Sequence, residues 1–213
     1  MPYQPHYRYI PPLEHDWLTP FYDLGCFLVG LGKSFKAQVL QSVEIKDGDT
    51  IADIGCATGV FLGLAQRTFP HSHVIGVDPD RRALAIARAR FVRANFDVEL
   101  HQAFAESLPI PDTSIDICFS TLAFHHMPDE VKRKALEEMK RVLKPNGRIV
   151  IADFGPTRNC WLRRVLFFEK IEYVKGNLEG IIPRFINEIG FKKLSVAGKK
   201  FPGIVIFIAL KVS

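Results

Sequence analysis

Residues Ile51-Ala52-Asp53-Ile54-Gly55-Cys56-Ala57-Thr58-Gly59 combine an apolar run, an acid and a glycine turn that opens a second apolar run. This order of types builds a strand, a tight loop and a helix, the framework of a nucleotide-cofactor site. Glycines there let the backbone turn sharply and approach a ligand with no Cβ in the way. The acid restricts which ligand. In dinucleotide sites the turn and the helix N-terminus hold a pyrophosphate, which a carboxylate fixed at Asp53 would repel. The glycines agree, since Gly55, Gly59 and Gly63 recur every fourth residue without the G-x-G-x-x-G of dinucleotide binders.

These residues favour a cofactor that lacks phosphate and carries positive charge. S-adenosylmethionine, with an ammonium and a sulfonium, meets both conditions. A second element follows at Val74-Ile75-Gly76-Val77-Asp78, a buried-strand pattern ending in an acid nineteen residues after Gly59. That is close to where an acid that hydrogen-bonds ribose hydroxyls is expected. A plainer alternative stays open, in which Asp53 caps the helix after the turn and Asp78 caps the next, which begins near Asp80.

Further segments extend the pattern: Ala105-Glu106-Ser107-Leu108-Pro109, Asp116, residues 120–126, and Arg141-Val142-Leu143-Lys144-Pro145-Asn146-Gly147. In this order the chain resembles class I S-adenosylmethionine-dependent methyltransferases over roughly residues 20–210. It is similar to the branch that includes the ubiquinone and menaquinone biosynthesis methyltransferases. The resemblance implies S-adenosylmethionine as cofactor, held by Asp53, Gly55, Cys56, Ala57, Gly59, Asp78, Pro79, Ala105, Glu106 and Ser120, with Ala105 and Glu106 beside the adenine. Two residues before Glu106 the family commonly has an acid that accepts from the adenine amino group, and this chain has Phe104. Phe104 either stacks on the purine or points into the core.

The elements that must position these groups follow from the alternation of short apolar runs and helical periods. Helices are expected at residues 60–69, at 80–95 with Ala83, Leu84, Ala87 and Phe91 on one face, and at 129–144 with Val131, Ala135, Met139, Val142 and Leu143 inward. Asp129 is expected to cap the third, and Pro145-Asn146-Gly147 to end it. Strands at 98–101, 115–120 and 148–153 interleave, and residues 191–196 and 204–210 close the chain as an antiparallel edge hairpin. The fold class is α/β, a Rossmann-like, doubly wound, mostly parallel seven-stranded sheet whose strands need cover on both faces. In such sheets ligands bind beyond the carboxyl ends of the strands, where the order reverses. Asp53, Asp78, Glu106 and Ser120 fall at or just after such ends.

At 213 residues the chain suits one domain, read as residues 36–213 with an arm or lid at 1–35. The prolines and aromatics of that arm fit a packed cover, and a tail over residues 1–15 is the alternative. Residues 33–43 carry Phe35, Val39, Leu40 and Val43 at helical spacing. Residues 161–174, with Trp161, Phe167 and Phe168, either cover an apolar substrate or roof the core. No basic leader or apolar run long enough to span a bilayer is present, and a cytoplasmic location is expected. Cys26, Cys56, Cys118 and Cys160 are too scattered for a zinc or redox pair, and no cluster of residues has metal-ligand spacing. A net charge of +5 is spread over pairs such as Arg163-Arg164 and Lys192-Lys193 with no aromatic interleaving, which argues against nucleic acid.

Methyl transfer from a sulfonium needs alignment and exclusion of water before it needs a catalytic group. Where the acceptor must lose a proton, His125 and His126 stand after the fourth strand as candidate bases, and packing is their alternative role. Tyr22 and His125 are expected to touch the acceptor. Ser120-Thr121-Leu122-Ala123-Phe124 replaces the Asx-Pro-Pro-aromatic motif of enzymes acting on exocyclic amines, which demotes base methylation. The expected acceptor is a small metabolite, apolar or lipid-like, bearing a quinol, phenol, carboxylate or amine and capped by residues 1–35 and 157–183. Peripheral membrane contact stays open, as does oligomeric state. An RNA or protein methyltransferase and a non-catalytic S-adenosylmethionine-binding module are the alternatives.

Overall fold

The computed structural model describes residues 31–157, 173–197 and 203–211. Residues 1–30 of the expected arm or lid at 1–35, including Tyr22 and Cys26, lie outside them, as do Cys160 and residues 161–172 of the aromatic segment at 161–174. Short apolar runs bounded by turns become β1 (Thr50–Ile54), β2 (His73–Asp78), β3 (Val98–Gln102), β4 (Ile115–Thr121), β5 (Leu143–Phe154), β6 (Lys192–Val196) and β7 (Ile204–Leu210). Between them run α1 (Lys33–Leu40), α2 (Val60–Thr68), α3 (Arg81–Ala94), α4 (Asp129–Val142), α5 (Val174–Leu178) and α6 (Ile181–Glu188). The seven strands form the single sheet that the sequence leads one to expect, in the order β3-β2-β1-β4-β5-β7-β6. β1 to β5 pair in parallel, while β7 is antiparallel to both β5 and β6.

Strand alternation divides the sheet into two packed faces. Ile51, Phe119, Val150 and Ala152 meet Phe35, Val39 and Phe61 of α1 and α2 on one face. Ala52, Ile54, Ile149 and Ile151 meet Leu136, Met139, Ile182 and Ile186 of α4 and α6 on the other. The closing hairpin is ordered by the same chemistry. The apolar strand β7 is mostly buried between β5 and β6, whereas Lys192, Lys193, Ser195 and Val196 of β6 are exposed at the edge, where charge blocks further pairing.

One alternative at the start of α3 is closed, and both ends of α4 depart from expectation. Asp80, not Asp78, caps α3, its Oδ1 accepting from the amides of Arg82 at 2.7 Å and Ala83 at 3.2 Å. At α4 the cap position is Pro128, and Asp129 is the first helical residue with its carboxylate taken by Lys132 Nζ at 2.7 Å. The cause is burial, because a lysine enclosed by the protein requires a counter-charge. α4 also stops at Val142, short of residue 144. Leu143, fully buried, already pairs with Ile115, and the next four residues bulge out before Ile117 pairs with Arg148.

Candidate functional site

β1 and β4 lie side by side while their connections leave in opposite directions, so a crevice opens at their carboxyl ends. The loop after β1 is held by its neighbour strand, with the amides of Gly55 and Cys56 donating to Val77 O at 2.8 and 3.1 Å. The Ala57 amide donates to Asp78 Oδ2 at 2.8 Å, and the Asp80 amide to Asp78 Oδ1 at 2.8 Å. An amide that a phosphate-binding loop would offer to its ligand is thus already engaged by a carboxylate. The glycines serve packing as much as ligand approach. Gly55 has φ +80° and a Cβ there would meet Ala123 Cβ at 2.4 Å; Gly59 has φ +73° and would meet Phe91 Cζ at 2.6 Å. Gly63, inside α2, would make only an ordinary contact with Phe91, so its place in the four-residue spacing carries no turn.

Asp53 is 2% exposed, and its Oδ1 has no hydrogen-bond partner among the described residues. Burial raises its carboxyl to about 7, against the opposing charge of Lys36 on α1, with Asp78 adding to the rise. Asp78 is raised to about 6, again by burial, despite its two amide donors. Cys56, between them, has its thiol pushed far up by burial and by both carboxylates, which removes it as a nucleophile. Ser120 is buried and spends its hydroxyl on Ile54 O at 2.8 Å, tying β4 to β1 at the switch point. Pro79 and Glu106 are half-buried, Ala105 is buried, and Phe104 is half-buried. The 105–110 segment is held from α4: Glu138 Oε2 accepts from the Leu108 amide at 2.8 Å, and Arg141 donates to Leu108 O at 3.0 Å and Ile110 O at 2.9 Å.

Leu122, at φ +58°, kinks the chain as it leaves β4, and a 3-10 turn, Phe124–His126, follows over the end of β5. Ala123 packs on Gly55, so this turn abuts the glycine loop. His125 is buried, its Nδ1 3.0 Å from Asp153 Oδ1, with its ring centroid 4.1 Å from that of His126 and 5.0 Å from that of Phe154. Burial and the neighbouring His125 charge lower His126 to about 3, so it stays neutral and is a weak proton acceptor. Asp153 is held below the ordinary carboxylate range, because burial, which would raise it, is outweighed by the charge and hydrogen bond of His125 and the Phe154 amide. Sequence reasoning placed Asp153 only as the last residue of a strand. Its signal was an acid at a strand's carboxyl end, the same signal that exposed Asp53. Asn177, Lys36 and Lys132 had no local signal.

A methyltransferase domain family model matches residues 51–147, which spans the glycine turn, Asp78, the 105–110 segment and the 3-10 turn. The chain is 30% identical over 168 residues to demethylmenaquinone methyltransferase of Thermus thermophilus, covering 76% of each chain. It is 31% identical over 153 residues to the Lactobacillus johnsonii enzyme of the same name, covering 68% of this chain and 62% of that one. The chain belongs to the class I S-adenosylmethionine-dependent methyltransferases. Within them it sides with the ubiquinone and menaquinone biosynthesis branch. Its fold is also that of Haemonchus contortus phosphoethanolamine N-methyltransferase 2 with S-adenosyl-L-methionine, at TM-score 0.76 and 20% identity, covering 97% of this chain and 60% of that one. The chain therefore spans less than two thirds of the length of some of its relatives.

The family cofactor fits what these residues present. Asp53 is a buried acid with an oxygen unspent, and Asp78 gives only one lone pair of each oxygen to protein amides, so both retain acceptors for a ligand's donors. Neither meets an ion-pair partner among the described residues. The cofactor-side positions read from sequence stand at or after the carboxyl ends of β1, β2, β3 and β4, and Tyr22 lies outside the described residues. Among those residues no group of three or more His, Cys, Asp or Glu is arranged to hold a metal, and no helix is long and apolar enough to cross a membrane.

Proposed function

We propose that the chain transfers a methyl group from S-adenosylmethionine to a small, apolar or lipid-like acceptor such as a quinol or phenol. The observation that carries this is Asp53, a carboxylate buried at the switch point, unmet on one oxygen and raised to about 7. A buried acid in that condition costs free energy until a cation arrives. When bound, the cofactor supplies the activated methyl. Asp53 would take the cationic methionine half and Asp78 the ribose hydroxyls. Gly55, Cys56, Ala57 and Gly59 would form the loop, Pro79 would border the site just after β2, Ala105 and Glu106 would flank the adenine, and Ser120 would hold the floor. His125 would accept the acceptor's proton, with Tyr22 and residues 1–35 and 157–183 closing over it.

Relatives named demethylmenaquinone methyltransferases support a quinol-like acceptor. The reading implies a cytoplasmic reaction, carried out against a membrane surface if the acceptor is a long-tailed lipid. Calorimetry with S-adenosylmethionine and with NADH, then release of S-adenosylhomocysteine in the presence of a demethylated quinol, a phenol, RNA or protein, tests it. Tighter binding of NADH overturns the cofactor assignment. Turnover on RNA or protein alone selects the macromolecular alternative, and binding without turnover on any acceptor selects the non-catalytic module.

A further inference from the structure

Asp153 leaves β5 at its carboxyl end with its side chain fully enclosed, and four donors converge on it. Oδ1 receives the Phe154 amide at 2.7 Å, His125 Nδ1 at 3.0 Å and Asn177 Nδ2 at 3.1 Å; Oδ2 receives the His125 amide at 3.4 Å. An ionised carboxylate can only accept, so the proton between Asp153 and His125 belongs to Nδ1. In the neutral ring Nε2 then carries the lone pair, and it makes no hydrogen bond to any described residue. The ring packs against His126, tilted at 41°, and against Phe154 in an edge arrangement at 81°.

Asn177 reaches this carboxylate from α5, and that helix is fastened independently. Lys132 Nζ, buried on α4, donates to Tyr173 O at 2.8 Å just before α5 begins, and Gly176 packs so closely on Asp129 that a Cβ there would lie 2.4 Å from Oδ1. Asn177 is itself fully buried. Three segments distant in sequence therefore close on one imidazole: the turn after β4, the end of β5, and α5.

We infer that Asp153 and Asn177 are positioning residues that hold His125 as the Nδ1–H tautomer, leaving Nε2 as the basic atom toward an acidic hydroxyl of the acceptor. This rests on the reading of His125 as the proton acceptor. In the step it serves, the acceptor's O–H bond breaks and its proton joins Nε2. The imidazolium so formed is balanced by Asp153, and the proton passes to water after the methyl has moved. Methyl transfer itself consumes no oxidant or reductant.

Two-dimensional 15N–1H spectra of the histidine rings in the full chain test the tautomer without activity. Wild type at pH 7.5 is expected to show His125 protonated at Nδ1 and bare at Nε2, and Asp153→Asn, whose amide can donate to Nδ1, is expected to move the proton to Nε2. An Nε2–H signal in wild type overturns the inference even if no variant folds. With a working acceptor, Asp153→Asn should lower kcat by about 100-fold or more while S-adenosylmethionine affinity stays within about twofold. Asn177→Leu should lower kcat by roughly three- to tenfold, and His125→Gln should match Asp153→Asn. A changed tautomer with unchanged kcat overturns the positioning role. Absence of methyl transfer by the wild-type chain, with the expected tautomer present, overturns the functional reading alone.

Discussion

Asp53 and Asp153 occupy corresponding places in the sheet and behave in opposite ways. Each lies at the carboxyl end of a parallel strand, β1 or β5, and each is buried. Register places them on opposite faces, since Asp53 aligns with Phe119, and Phe119 with Val150, two residues from Ala152 and three from Asp153. Asp53 is raised to about 7, whereas Asp153 is held below the ordinary range. Burial acts on both in the same direction. The difference lies in the donors, since Asp153 has four and Asp53 keeps an oxygen with none among the described residues. A strand end supplies a buried acid; the loops around it decide whether that acid is a finished structural centre or a site awaiting a cation.

The sharpest way to break this contrast is to remove each carboxylate. Asp153→Ala strands three neighbouring donors and a histidine, and should cost about 3–5 kcal/mol in urea-unfolding stability. Asp53→Asn removes a charge with no ion-pair partner among the described residues, and should leave ligand-free stability at pH 8 unchanged or higher. It should, however, weaken S-adenosylmethionine binding by about 1.5–3 kcal/mol in calorimetry. Equal destabilisation by the two changes would end the distinction.

Gly55 joins the two halves, because a Cβ there meets Ala123 at the start of the histidine turn. Gly55→Ala should cost about 2 kcal/mol and reduce both cofactor affinity and turnover. Gly59→Ala, whose Cβ meets Phe91, should cost a similar amount and spare the His125 tautomer. A perturbed tautomer in the second variant would show that the halves are not separately built.

The pH dependence is the gentlest test. Asp53 and Asp78 are raised from 3.8 to about 7 and about 6, so the native state holds more protons than the unfolded chain between those values. Their contribution makes ligand-free stability fall as pH rises from about 4 to 7, by at most about 1.4 kcal/mol per unit for each group. Asp153 works the other way, its contribution being present above the unfolded value and lost as pH falls through its lowered one. With Asp53 meeting the cofactor's cation, as proposed, binding requires the ionised acid, and the dissociation constant should rise about tenfold for each unit below pH 7. A flat affinity from pH 5 to 7, with proton release absent in calorimetry, would mean that Asp53 does not face the cation.

Much of the cofactor half was legible because its information is local. Asp53, the glycine turn and Asp78 sit within 28 residues of one another, and strand and helix periods show where each must stand. Misreadings arose where a distant contact decided the outcome. Asp129 reads as a cap until buried Lys132 claims it, and residue 144 reads as helical until Ile115 pairs with Leu143. Gly59 reads as ligand clearance until Phe91 of α3 is seen against it.

By itself the sequence determined the α/β order of elements, the acids at the strand ends and the charge that a cofactor must carry, because periodicity and turn chemistry act within a few residues. Only the tertiary structure decided that β7 lies inside β6, that Asp153 rather than a neighbour in sequence governs His125, and that Asn177 completes the set. Those choices depend on burial and on hydrogen bonds between residues 24 and 28 positions apart, which no local pattern records.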